Sequence, residues 1–147
     1  MTSADPLSLD HQVCRSLYSA SNALIRAYRP LLEPLGLTYP QYLVMLALWE
    51  QDQVSVGHLA ERTRLDPGTL TPLLKRMAAK GLLLRARARD DERRRVIALT
   101  RSGRALRAAA REIPGRIART IGLDPEDGMR LHALAERLHA HLRATEV

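Results

Sequence analysis

Apolar residues recur every three or four positions over most of this chain, which is the spacing of amphipathic helices. The first such segment covers residues 9–33, with Ser8 or Asp10 as its expected N-cap. Its apolar stripe consists of Val13, Leu17, Ala20, Leu24 and Leu31. A second helix is predicted to begin at Thr38 or Tyr39, so that the following proline falls in the first turn, where its missing amide hydrogen is tolerated.

The middle of the chain predicts two further helices, capped by Ser55 and by Asp66. Pro67 then occupies the first position of the second of these helices. Its apolar stripe consists of Leu70, Leu73, Leu74 and Met77. Two short apolar runs, residues 82–84 and 96–99, flank the charged sequence RARARDDERRR and predict a β-hairpin.

The last third of the chain predicts two more helices. One runs from Thr100 or Ser102 to Ile121 and is expected to bend at Pro114. The other begins at Asp124, which precedes a proline and two acidic residues typical of a helix start. The predicted fold is therefore mainly α with a small β-hairpin, in a single domain of 147 residues.

Composition excludes several classes of protein. A single cysteine excludes an internal disulfide framework and a multi-cysteine metal site. No apolar run reaches the roughly 18 residues that a membrane span needs. The first ten residues lack the basic start and apolar stretch of a signal peptide. We therefore expect a cytoplasmic protein whose thiol is reduced at rest.

The basic residues are concentrated in the middle of the chain. Residues 61–100 carry eleven basic and five acidic side chains, whereas residues 1–60 carry three basic and five acidic ones. A local basic block in a folded domain is typical of a nucleic-acid site. An arginine-rich, solvated surface is the alternative explanation of the same charge.

Helix, turn, helix and hairpin over residues 54–99 predict a winged helix-turn-helix module, whose second helix enters the major groove of DNA. Short side chains on its outer face allow close approach, and basic ones reach phosphates or base edges. The residues expected to contact duplex DNA are Gly68, Thr69, Thr71, Pro72, Lys75, Arg76, Arg87, Arg89, Asp91, Arg93, Arg94 and Arg95. Asp91 is expected to hold one arginine side chain of the wing in position.

The sequence LDHQVCRSLYSASNALIRAYRPLLEPLGLTYPQYLVMLALWE, with LDPGTLTPLLKRM, DDERR and ALTRSGRAL, resembles the multiple antibiotic resistance regulator (MarR) family. More narrowly, it resembles the organic hydroperoxide resistance repressors. The resemblance implies an obligate homodimer that interlocks through its first and last helices and binds a pseudo-palindromic operator. Residues 8–53 and 100–147 would then form the dimerisation and sensing region. It also implies that oxidation of the N-terminal cysteine releases the DNA.

Two features depart from the family pattern. Pro67 stands where the family usually has serine, which puts one contact at the start of the reading helix in doubt. The chain also lacks the second, C-terminal cysteine that many relatives use to resolve the first. It therefore resembles the one-cysteine type, in which oxidised Cys14 reacts with a low-molecular-weight thiol, forms a sulfenamide or is over-oxidised.

The spacing of the tyrosines bears on the proposed chemistry of Cys14. Tyr18 follows it by four residues and shares its helix face. Tyr28 follows it by fourteen residues, which is about 21 Å along a straight helix. The family pattern implies that Tyr28 and Tyr39 donate hydrogen bonds to the thiolate across the dimer interface. With Tyr18 they form the predicted thiolate-binding set, and an organic hydroperoxide is the expected oxidant.

Other functions remain open from the sequence. Cys14 and the tyrosines are simple core residues in one alternative, and the protein then responds to a lipophilic or phenolic ligand between its helices. A thiol peroxidase and a protein-interaction module are two further alternatives. No cofactor is expected, and no metal either, because His132 and His139, which share a helix face, are more typical of surface or interface residues than of a zinc site.

Overall fold

The computed structural model describes residues 5–88, 90–91 and 93–146. Two single-turn 3₁₀ helices, Leu9–His11 and Glu33–Leu35, flank the first long helix. The longer elements in chain order are α1 (Val13–Leu32), α2 (Tyr39–Glu50), α3 (Val56–Thr63), α4 (Pro67–Ala79), β1 (Leu83–Arg87), β2 (Arg95–Leu99), α5 (Arg101–Ala110), α6 (Ile113–Ile121) and α7 (Pro125–Thr145). The chain divides into two compact units, Met1–Ile113 and Pro114–Val147.

Side-chain caps begin most of these helices where the sequence predicts them. Thr38 forms a capping box with Gln41 at the start of α2. Ser55 accepts a hydrogen bond from the His58 amide at 3.0 Å, and Asp66 accepts one from the Thr69 amide at 3.0 Å. These caps satisfy amides that have no partner inside the helix, and they fix where α2, α3 and α4 begin.

The expected cap of the first helix is wrong. Neither Ser8 nor Asp10 caps α1, because the chain makes the 3₁₀ turn Leu9–His11 first. The N-cap of α1 is Gln12, which makes no side-chain cap hydrogen bond. The side-chain Nε2 of Gln12 instead donates to Pro6 O at 2.8 Å and to Ser8 O at 3.0 Å, and these bonds hold the preceding turn in place.

The winged module has a continuous apolar core. All four residues of the predicted α4 stripe are buried, together with Leu59 of α3 and Ile97 of β2. The strands β1 and β2 pair antiparallel, with Leu83 opposite Leu99. Val54 forms an isolated β-bridge with β2, because its amide and carbonyl both bond to Ile97. The predicted helix, turn, helix and hairpin are therefore confirmed as one packed unit.

The helix α5 packs closely against this module at a glycine. A Cβ on Gly103 would overlap the carbonyl oxygen of Leu82, so no larger residue fits there without a backbone shift. The indole Nε1 of Trp49 donates to Gly103 O at 3.0 Å. Trp49 therefore joins α2 to α5 by a hydrogen bond.

The predicted single bent helix from Thr100 to Ile121 is wrong, because the structure has two helices. The α5 helix ends at Ala110, and α6 begins at Ile113. Pro114 is the second residue of α6, where the absent amide hydrogen would have had no partner within the helix. A proline in that position starts a helix more readily than it bends one.

Helices α1 and α7 leave most of their apolar side chains exposed. Of the predicted α1 stripe only Leu31 is buried, and Val13 is 70% exposed. No residue of α7 is buried, and Leu134 is 59% exposed. Within the described residues, no helix is both long enough and apolar enough to cross a membrane.

Candidate thiol site and DNA-binding surface

Cys14 is the second residue of α1, and its thiol is free and exposed. The side chain is therefore not the small buried hydrophobe that a lone cysteine commonly is. Tyr18 follows one turn later on the same helix and is 72% exposed. The prediction that Cys14 and Tyr18 share a helix face is consistent with the unbroken helix between them.

The other three tyrosines form a cluster. The ring centroids of Tyr28 and Tyr39 lie 4.8 Å apart, and that of Tyr42 lies 5.8 Å from Tyr28 and 6.4 Å from Tyr39. The rings are tilted, as aromatic pairs prefer. The structure thus brings together Tyr28 and Tyr39, which the family resemblance singled out, and adds Tyr42 to them.

The environment of the cluster keeps its hydroxyl groups protonated. Burial, followed by the neighbouring Tyr39 and Tyr42, raises the pKa of Tyr28 to about 12. Burial also raises the pKa of Tyr39 and of Tyr42. A phenol that holds its proton at neutral pH can donate a hydrogen bond to an anion, which a phenolate cannot.

Cys14 and the tyrosine cluster lie at opposite ends of α1. The helix is continuous between Cys14 and Tyr28, because Pro30 comes only after both of them. Fourteen residues of helix separate the two by about 21 Å. One chain therefore cannot bring its own Tyr28 to its own thiol.

The helix α4 carries half of the residues predicted to contact DNA. Gly68, Thr69, Pro72, Lys75 and Arg76 are exposed, and Thr71 is half-buried. The Thr71 hydroxyl donates to Pro67 O at 3.1 Å. The Thr69 hydroxyl donates to Asp66 Oδ2 at 2.7 Å. Both hydroxyls are thus occupied as donors, and their oxygens remain available as acceptors.

Asp66 carries a negative charge at the start of α4. The Thr69 hydroxyl and the Thr69 amide, in that order, lower the pKa of its carboxyl group. A carboxylate at a helix N-terminus interacts favourably with the helix dipole. Asp66 therefore serves as a cap, and Thr69 is held by that cap.

The wing concentrates positive charge. Arg87 lies directly opposite Arg95 in the β-ladder, and both are exposed. Like charges in that position repel each other. A polyanion between them would relieve that repulsion, so the pair is typical of a phosphate-binding edge. Arg89, the other predicted contact in this strand region, lies outside the described residues.

The carboxylates of Asp90 and Asp91 have different partners in the turn between β1 and β2. The Asp91 carboxylate accepts a hydrogen bond from the Arg93 amide at 2.9 Å and so caps the turn. Asp90 Oδ1 lies 3.0 Å from Arg94 Nη2 and holds that side chain. That Asp91 also holds an arginine side chain of the wing stays a prediction.

Comparisons with known proteins agree with this architecture. Residues 26–109 match the family described as "Transcriptional regulator SarA/Rot". The organic hydroperoxide resistance transcriptional regulator of Bacillus subtilis is 43% identical over 138 residues, which is 94% of this chain and 92% of that protein.

Two solved structures of AbfR, a protein of Staphylococcus epidermidis, are also similar. Reduced AbfR bound to DNA is 32% identical with a TM-score of 0.74, and covers 91% of this chain and 94% of that one. Overoxidised AbfR bound to DNA is 31% identical with a TM-score of 0.72 and the same coverage. The chain therefore belongs to the SarA/Rot family of MarR-like winged-helix transcriptional regulators.

Proposed function

We propose that this regulator is a homodimeric repressor that releases its operator when an organic hydroperoxide oxidises Cys14. The observation that carries the proposal is the placement of an exposed thiol at one end of α1 and a tyrosine cluster at the other. A second chain whose α1 runs antiparallel would bring each Cys14 to its partner's cluster. Homodimers are typical of this family.

The apolar surfaces of the terminal helices support the dimer. Leucines along α1 and α7 stay exposed in the single chain, over faces that an isolated soluble domain normally buries. They belong to the residues 8–53 and 100–147 that the family resemblance assigns to dimerisation. Covering these faces with a second copy would also enclose the thiol and so exclude water from it.

The proposed reaction is a two-electron oxidation of sulfur. The Cys14 thiolate attacks one peroxide oxygen, the O–O bond breaks, and the alkoxide leaves and takes up a proton to become an alcohol. The product is a sulfenic acid. The hydroxyl groups of Tyr28 and Tyr39 stabilise the thiolate by donating hydrogen bonds to it, and Tyr18 lines the same helix face.

The oxidised form needs an external partner. The chain has one cysteine, so its sulfenic acid condenses with a low-molecular-weight thiol, which forms a disulfide and releases water. The similarity to the organic hydroperoxide resistance regulator of Bacillus subtilis and to the reduced and overoxidised forms of AbfR supports a redox signal. The protein is then a stoichiometric sensor in the cytoplasm rather than a peroxidase.

The DNA-binding part of the proposal uses α4 and the wing. Helix α4 enters the major groove and presents Gly68, Thr69, Thr71, Pro72, Lys75 and Arg76. Arg87, Arg93, Arg94 and Arg95 of the wing reach phosphates or the minor groove. Steep weakening of binding with salt is expected, because each phosphate contact releases counterions.

Replacing the thiol tests the sensing step. The Cys14→Ser variant is expected to bind a duplex selected from a random-sequence pool as tightly as the reduced original protein does. Cumene hydroperoxide, added with a small thiol, should release DNA from the original protein and leave the Cys14→Ser complex intact. Mass spectrometry should show the mixed disulfide only on the original protein. Release from both proteins would overturn the proposal.

A further inference from the structure

The C-cap residue of α4 reaches across to the segment that carries Tyr39. Lys80 is the C-cap of α4, and its Nζ donates to Gly36 O at 2.7 Å and to Gln41 Oε1 at 3.1 Å. Lys75 and Lys80 are the only lysines in a chain that otherwise uses arginine. A compact ammonium with three rotatable donors can donate to two separate acceptors at once.

The helix end that carries Lys80 is held firmly. The Leu82 amide donates to Met77 O at 3.1 Å, and the Gly81 amide donates to Ala78 O at 2.9 Å. Gly81 has a φ of 78°. These are the two hydrogen bonds of a Schellman motif, and the apolar pair that accompanies it, Leu82 and Met77, is buried. Movement of Lys80 therefore requires movement of the C-terminal end of α4.

The two acceptors flank the tyrosine of the thiol site. Gly36 ends the turn after α1, three residues before Tyr39, and Gln41 follows Tyr39 by two residues. Gln41 is 3% exposed, and its Oε1 also accepts the Thr38 amide at 3.1 Å. The same oxygen thus closes the capping box of α2 and binds Lys80. Any shift of this segment changes both hydrogen bonds to the ammonium.

We infer that Lys80 is the positioning residue that couples the tyrosine segment, residues 36–42, to the reading helix α4. The inference rests on the proposed function, in which oxidation of Cys14 displaces the tyrosine rings. Displacement of Tyr39 moves Gly36 O and Gln41 Oε1, and charge-assisted hydrogen bonds draw Lys80 and α4 after them. The coupling acts in both directions, so DNA bound to α4 also orders residues 36–42.

Lys80→Met separates this coupling from DNA binding and from sensing. The variant keeps an unbranched, flexible side chain that is one atom shorter, and it removes all three donors. Lys75→Met is the matched control, because it removes the only other lysine, on the exposed face of the same helix. Lys75→Met should weaken DNA binding by a similar factor before and after oxidation. Lys80→Met should instead shrink the difference between the two states.

The first measurement is the ratio of DNA affinities before and after cumene hydroperoxide, with the selected duplex. Couplings between sites commonly span about 5- to 150-fold. We expect the ratio in Lys80→Met to fall to less than about one fifth of its value in the original protein and in Lys75→Met. An unchanged ratio in Lys80→Met overturns the inference.

The second measurement needs no oxidant. Hydrogen exchange of the amides of residues 36–42 should slow when DNA binds the reduced original protein or Lys75→Met, and should stay unchanged in Lys80→Met. Equal slowing in all three overturns the inference. Slowing that depends on Lys80, combined with no effect of hydroperoxide on the original protein, overturns the proposed function and leaves the coupling in place. Thermal unfolding checks the fold, and Lys80→Gln replaces Lys80→Met in both assays if that variant unfolds.

Discussion

Helices α4 and α7 both carry an apolar stripe, but the stripe of α4 is buried and that of α7 is exposed. The α7 stripe consists of Leu131, Leu134, Leu138 and Leu142. Leu70 of α4 is completely buried, whereas Leu134 of α7 is 59% exposed. Both helices begin at an aspartate cap followed by proline. Their local sequences therefore encode the same kind of helix, and the difference lies in what covers the stripe.

The contrast separates two sources of stability. The winged module encloses its own core between α3, α4 and the hairpin, so its packing is complete within one chain. The leucines along α7 are exposed, and so are most of the apolar side chains along α1. An apolar surface of that kind is typical of a protein–protein interface. We therefore expect substitutions in the two regions to fail in different ways.

The largest effect is expected for a charge placed on α7. Leu134→Asp should convert the dimer into monomers, because it puts a carboxylate into the proposed apolar interface. Operator affinity should fall by a factor of about 100 or more, since two linked half-site contacts become one. Sedimentation and DNA titration measure both results. Leu84→Asp, on an exposed leucine of β1 outside residues 8–53 and 100–147, should remain dimeric. A dimeric Leu134→Asp protein would contradict the proposed interface.

A core truncation in α4 should act on stability instead of assembly. Leu74 is 1% exposed, so Leu74→Ala should lower the free energy of unfolding by about 3 kcal/mol through lost burial and a residual cavity. Leu84→Ala, on an exposed leucine of β1, should change it by less than about 0.5 kcal/mol. Urea unfolding measures both. Equal effects of the two substitutions would show that the module does not pack as one core.

The smallest effect is expected at alkaline pH. Burial holds the pKa of Tyr28 at about 12, above its ordinary value of 10.0, so folding favours the neutral phenol. The stability from this group is present in full below about pH 10 and is lost as pH rises towards about 12. The near-ultraviolet absorbance of tyrosinate should therefore show a late step that Tyr28→Phe removes. Tyr18→Phe should leave that late step in place. Loss of the late step in Tyr18→Phe would show that the step does not come from Tyr28.

Local sequence signals predicted most of the secondary structure. Ser55, Asp66 and Thr38 are caps in the structure, as their positions before apolar stripes indicated. The hairpin followed from two apolar runs around a charged turn. The start of α1 and the break before Pro114 were predicted wrongly, because a 3₁₀ turn and a helix start use the same residue types as a longer helix.

The candidate sites were only partly predictable. The family resemblance singled out Tyr28 and Tyr39, and Tyr42 was not among the predicted thiolate-binding residues. A signal for Tyr42 was present, because it lies three residues after Tyr39 and shares its helix face. The ion pair of Asp90 with Arg94 carried no such signal, since either Asp90 or Asp91 could bind an arginine.

The sequence by itself determined the helices, the hairpin, the basic module and the need for a second chain to join Cys14 with Tyr28. These follow from spacings of a few residues and from the fixed rise of a helix. Only the tertiary structure decided that Tyr28, Tyr39 and Tyr42 meet. The same holds for the hydrogen bonds of Lys80 to Gly36 and Gln41, which lie 44 and 39 positions before it in the sequence. Such contacts depend on how the chain returns upon itself, which no local pattern records.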